Sequence, residues 1–105
     1  MTINITANDL DLTPAFKEFI ESKVGALNKF VERFDGDSLI TNVVVSRTTA
    51  HHRHGEVFDA KIDIGLPGSI IRAAAIAPDA RTAVLDACKK LEREIEKYKT
   101  KIGSR

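Results

Sequence analysis

The sequence predicts an α+β fold of two layers, a four-stranded sheet with both helices packed on one face, in the order β-α-β-β-β-α. Three observations carry that reading. Residues 57–64, VFDAKIDI, alternate apolar Phe58, Ala60, Ile62 and Ile64 with Val57, Asp59, Lys61 and Asp63, so one sheet face turns to a core and the other to water. Two long segments, near each end of the chain, repeat apolar residues at helical spacing instead. An amphipathic helix has to bury its stripe, and a sheet with one apolar face offers the place.

The elements follow in order. TINITA, residues 2–7, places Ile3 and Ile5 between polar neighbours and reads as a first strand. Thr13 then supplies a helix N-cap with Pro14 at the first helical position. From there Phe16, Phe19, Ile20, Val24, Leu27, Val31 and Phe34 predict one continuous helix, ended by the turn chemistry of DGDS, 35–38. LITNVVVSR, 39–47, is β-branched and reads as the second strand, and 57–64 is the third. Pro67 and Gly68 make a turn before IIRAAAIA, 70–77, the fourth. A second helix starts near Pro78 or Asp79 and runs to about Ile102, with Val84, Ala87, Leu91, Ile95, Tyr98 and Ile102 as its apolar seam.

At 105 residues the chain predicts a single domain, residues 1–105, and 43% hydrophobic with 30% charged residues is an ordinary globular composition. The first residues carry no basic region followed by an apolar run, and no stretch reaches about eighteen apolar residues, which argues for a cytoplasmic protein with no membrane partner. One cysteine, Cys88, cannot form an internal disulfide; on the edge of the second helical seam it reads as a small buried thiol. No nucleophile elbow, phosphate-binding glycine loop, metalloprotease motif or carboxylate pair is present, so no enzyme, no catalytic residue, no cofactor and no small-molecule substrate are expected.

The net charge of +1 is unevenly spread. Residues 1–38 hold 4 basic and 7 acidic side chains, residues 39–78 hold 4 and 3, and residues 79–105 hold 8 and 5. On a helical projection from Leu91, at 100° per residue, Lys90, Lys97 and Lys101 fall at about −100°, −120° and −80°, a ridge beside the seam. Lys89 and Arg93 stand opposite the seam, and only Glu94 and Asp86 approach the ridge. The first helix adds Lys17, Lys23, Lys29 and Arg33, Lys23 within the apolar stripe. Two readings stay open: a solvated helix with its lysine stems lying on apolar surface, or spaced cations for the phosphates of a folded RNA, with Lys23 and the ridge on one shared surface.

The stretches INITANDLDLTPAFKEFIESKVGALNKF and PDARTAVLDACKKLEREIEKYKTK, taken with the order of elements between them, resemble the ribosome hibernation promoting factor and ribosome-associated inhibitor A family over nearly the full length. The resemblance implies the same β-α-β-β-β-α fold, similar to double-stranded-RNA-binding-domain folds. It implies a cytoplasmic translation inhibitor of stationary phase and stress that binds the small ribosomal subunit and its rRNA at the decoding region. There it would block messenger RNA and transfer RNA in the A and P sites of idle ribosomes, with ribosome dimers formed alongside a second factor. By the same resemblance Lys90, Arg93, Lys97 and Lys101, with Lys89, match the basic positions of the second helix, and Lys23 and Lys29 those of the first. The chain departs from its relatives at Ala26, where they carry lysine, and at Ala80-Arg81, where they carry Met-Tyr. Longer relatives add a C-terminal domain, so this chain would be a short form or an N-terminal domain.

Two other classes of function remain. A protein-interaction module would dock through the polar sheet face, at Asp59, Lys61 and Asp63. A metal-responsive binder would use His51, His52 and His54 in the loop TTAHHRHG, although a closed zinc site takes four ligands and this loop brings three histidines. The expected metal is therefore none, and Arg53 with the histidines forms a polar hairpin loop.

Overall fold

The computed structural model describes residues 1–34, 38–49 and 56–103. The strands are β1 (Thr2–Asn8), β2 (Ile40–Thr49), β3 (Glu56–Leu66) and β4 (Ser69–Ala77), and the helices are α1 (Pro14–Gly25), the short α2 (Asn28–Val31) and α3 (Ala80–Gly103). They form one mixed sheet in the order β1-β2-β3-β4. β1 runs parallel to β2 because α1 and α2 carry the chain back across the sheet; the other two pairs are antiparallel. The α+β class and its order of elements agree with the sequence reading.

Local chemistry sets the ends. The Phe16 N–H donates to the Thr13 hydroxyl at 3.1 Å, with Pro14 in the first turn, where its missing N–H costs nothing. Asp79 does the same for α3. One of its oxygens accepts from the Thr82 N–H and the other from the Thr82 hydroxyl, both at 2.8 Å, and these bonds hold its carboxyl below the usual carboxylate range. Between β3 and β4, Pro67 sets one φ and Gly68 takes a φ of 77°, the pairing that a type II turn requires.

The first helix is not continuous. α1 ends at Gly25, and the Leu27 N–H bonds to the Val24 carbonyl and the Phe30 N–H to the Leu27 carbonyl, i to i−3 links that tighten the chain. A 3₁₀ turn, Glu32–Phe34, follows α2. Gly25 is the weakest helix former in the run, and the break still buries both Leu27 and Val31. The turn expected at 35–38 lies, for residues 35–37, outside the described residues.

The core lies between the inner sheet face and the helices: Ile20, Val24, Val43, Val45, Ile62, Ile64, Val84, Leu91 and Ile95 are almost wholly buried. Ala75 and Ala77 of β4 and Ala83 and Ala87 of α3 are buried too, and such small side chains bring helix and strand close. Cys88 is buried, as expected. Ile102 is not part of the seam: it is 39% exposed, because α3 has by then run beyond the packed layer. Tyr98 closes that end, with its hydroxyl donating to the Pro67 carbonyl at 2.8 Å and its ring edge-on to Phe34 at 5.3 Å.

Candidate nucleic-acid interface

α3 carries basic residues on two flanks. On the β4 flank, Arg72, Ala73, Lys90, Arg93, Glu94 and Lys97 line an open depression of about 350 Å³. A second depression, of about 220 Å³, continues along the same flank past Tyr98 to Lys101 and shares Arg72, Glu94 and Lys97 with the first. The Lys90 ammonium donates to the Ala74 carbonyl at 3.1 Å, which fixes this cation against the edge strand. Lys97 pairs with Glu94 at 3.2 Å, one turn away. The ridge of Lys90, Lys97 and Lys101 is thus one wall of a trough, and the other wall is β4.

The opposite flank faces α1 and α2, where cations lie over aromatic rings. The Arg81 guanidinium is 4.7 Å from the Phe19 centroid and 5.8 Å from that of Phe16, and the Lys23 ammonium is 5.8 Å from Phe19. Lys29 and Lys99 approach Phe30 at 5.2 and 5.7 Å, and Arg33 lies 4.8 Å from Phe34. A cation above a ring face is attracted by the ring quadrupole. Lys23, in the apolar stripe by spacing, has its head exposed and its charge close enough to Cys88 to offset part of the rise that burial imposes on the thiol, which still reaches about 11.

These positions correct one expectation. Lys23 and the Lys90–Lys97–Lys101 ridge do not share one surface, because α1 packs along the flank of α3 opposite the ridge. Lys23 and Lys29 instead join Arg81 and Lys99. Lys89 and Arg93 stand on the crest between the flanks, in a shallow dip with Glu92 and Glu96. Sequence reasoning missed Arg81 and Lys99 as partners, although a signal existed: they are 18 residues apart, five full turns, and so share one side of the helix. Arg72 it could not have found, since only the fold brings β4 beside the ridge.

On the outer sheet face, one register row crosses all four strands. The Asn4 amide donates to Asn42 at 3.2 Å, the Asn42 amide donates to Asp63 at 3.2 Å, and Arg72 lies 4.0 Å from the other Asp63 oxygen. Asp63 is therefore engaged within the sheet. The histidine loop, with His51, His52 and His54, lies outside the described residues; among those described, no group of three metal-ligating side chains is found.

A four-stranded sheet with one helical layer and cations on both flanks of its long helix defines a small α+β protein with a basic helical face. The chain belongs to the Sigma 54 modulation protein / S30EA ribosomal protein family, whose sequence model matches residues 3–103. It is 30% identical over its whole length to ribosome-associated factor Y of Haemophilus influenzae, covering 89% of that protein. It is 26% identical to the ribosome hibernation promoting factor of Klebsiella oxytoca, covering 97% of it, and 30% identical to the ribosome hibernation promotion factor of Bacillus subtilis, of which it spans 51%. Among solved structures, the N-terminal domain of Thermus thermophilus Protein Y superposes with a TM-score of 0.73 at 25% identity, over 93% of this chain and 99% of that one. A ribosomal subunit interface protein from Coxiella burnetii gives 0.68 at 26% identity, over 95% and 99%. No described helix is long and apolar enough to cross a membrane.

Proposed function

We propose that this protein is a ribosome-associated hibernation factor that binds rRNA of the small subunit at the decoding region and blocks messenger and transfer RNA there by occupancy alone. Family membership and the names of the relatives support the ribosome as partner. The observation that carries the RNA reading is the trough lined by Lys90, Arg93 and Lys97 and continued by Lys101, spaced cations of the kind that displace the counterions condensed on phosphates. Lys23 and Lys29, over their aromatic rings, add a second strip where a base could stack beside a cation. Lys89 and Arg93 on the crest connect the two. Occupancy needs no bond made or broken, and the reading involves no cofactor.

The test is co-sedimentation with isolated small ribosomal subunits across a salt series. Binding is expected to weaken steadily as salt rises, and the double charge reversal Lys90→Glu with Lys97→Glu is expected to abolish it while circular dichroism stays native. Unchanged binding by that variant overturns the reading. A second reading, protein docking through the open sheet face, is favoured by exposed Ile70, paired with Gly65, and exposed Ile40, whose carbonyl lies near that glycine. It predicts that Ile70→Asp, and not the charge reversal, removes a partner.

A further inference from the structure

The β4 wall of the trough has a cation of its own, which nothing in the α3 sequence reveals. Arg72 projects from the edge strand with its side chain 73% exposed, lines both depressions of the trough, and has Asp63 as a loose partner at 4.0 Å. Opposite it on α3 stand Lys90, Arg93 and Lys97, and the carboxylate facing that group from the helix is Glu94, which holds Lys97 at 3.2 Å. Arg72, Glu94 and Lys97 are the residues common to both depressions, so they form the middle of a single channel. From Lys90 to Lys101 the helix advances about 16 Å at 1.5 Å per residue. That is far less than the roughly 16 base pairs a double-stranded-RNA reader spans, and it suits a local stretch of one backbone strand.

Resting on the RNA reading above, we propose that Arg72 is the sheet-side phosphate contact of this trough, so that one RNA strand is gripped from two walls, and that Glu94 limits the grip. An arginine fork meets a phosphate in bidentate fashion, which the lysines across the trough cannot do. Glu94 competes with the incoming phosphate for Lys97 and repels it where the two depressions meet. Both actions follow from charges placed across a groove, and they affect affinity and its salt dependence rather than folding, since both side chains are at the surface.

The experiment measures binding of the full chain to purified small ribosomal subunits across a salt series, for Arg72→Gln, Glu94→Gln and the control Lys61→Gln. The control removes a like charge beside Arg72 on the outer sheet face, from a residue that lines neither depression of the trough. Arg72→Gln is expected to weaken binding and lower the slope of log K against log salt by about 1, as loss of one phosphate contact does. Glu94→Gln is expected to tighten binding severalfold, and Lys61→Gln to leave the slope unchanged. If Arg72→Gln matches Lys61→Gln while the Lys90/Lys97 reversal abolishes binding, the two-walled trough is wrong and the RNA reading stands. If the reversal itself has no effect, both fall. A Glu94→Gln protein that binds no more tightly than the parent overturns the role given to Glu94.

Discussion

The Lys90 ammonium donates a hydrogen bond to the Ala74 carbonyl at 3.1 Å, so a cation of the helix ridge is fastened to the open edge of the sheet. Among the described residues β4 pairs with β3 alone and presents its other side outward, and an edge of the sequence SIIRAAAIA is a template for strand addition unless something blunts it. Lysine at an edge serves that purpose. Lys90→Ala is expected to raise self-association of the free protein in sedimentation velocity at high concentration. Its folding stability should stay within about 0.5 kcal/mol of the parent, as for other exposed side chains. A strictly monomeric variant would mean that the edge is protected by other means.

Tyr98 ties α3 to the β3–β4 turn through its hydroxyl and to the 3₁₀ turn through its ring. Tyr98→Phe removes one hydrogen bond and should cost about 1 kcal/mol in urea denaturation at unchanged slope. Tyr98→Ala also removes the ring against Phe34, with an expected loss of about 3–5 kcal/mol. Equal losses for the two would show that the hydroxyl alone matters.

Thr41 sits on the inner face of β2 at 0% exposure, and its hydroxyl has no partner among the described residues. An unpaired hydroxyl in an apolar core costs free energy that a methyl group does not. Thr41→Val is nearly isosteric and is expected to raise the thermal midpoint, by an amount equivalent to about 1 kcal/mol. A lower midpoint would reveal a partner for the hydroxyl.

Burial raises the Cys88 thiol to about 11, above its ordinary value of 9.0, with Lys23 pulling the other way. The folded protein therefore holds this proton more tightly than the unfolded chain does. The resulting stability is fully present below about pH 9 and is lost as pH rises toward 11. Comparing unfolding of the parent with Cys88→Ala from pH 8 to 11 isolates the effect: the parent's advantage should shrink across that window. A constant difference would mean that the thiol titrates alike in both states. Lys23→Gln should move the loss to higher pH, because the charge that favours the thiolate is gone.

Much of the fold was legible because its signals are local. Thr13-Pro14 starts a helix by capping chemistry within four residues, 57–64 alternates with the pleat, and Pro67-Gly68 can hardly be anything but a turn. The break at Gly25–Leu27 was not legible: the apolar stripe keeps helical spacing through it, and i to i−3 links preserve that spacing closely enough to bury the same side chains. Ile102 misled for a related reason, since periodicity continues past the point where the layer it would pack on ends.

By itself the sequence determined which faces are apolar, hence two layers, and which side of α3 carries Lys90, Lys97 and Lys101, because one helix's angular order depends only on residue number. The tertiary structure alone decided what stands across from each flank. Whether α1 lies beside the ridge or opposite it depends on how two helices share a sheet, and no spacing within either helix encodes that. The packing set Lys23 over Phe19, away from the ridge, and the place of β4 at the sheet edge beside α3 set Arg72 against Lys90, Arg93 and Lys97. A binding surface is a relation between elements distant in sequence, and long-range pairing creates that relation.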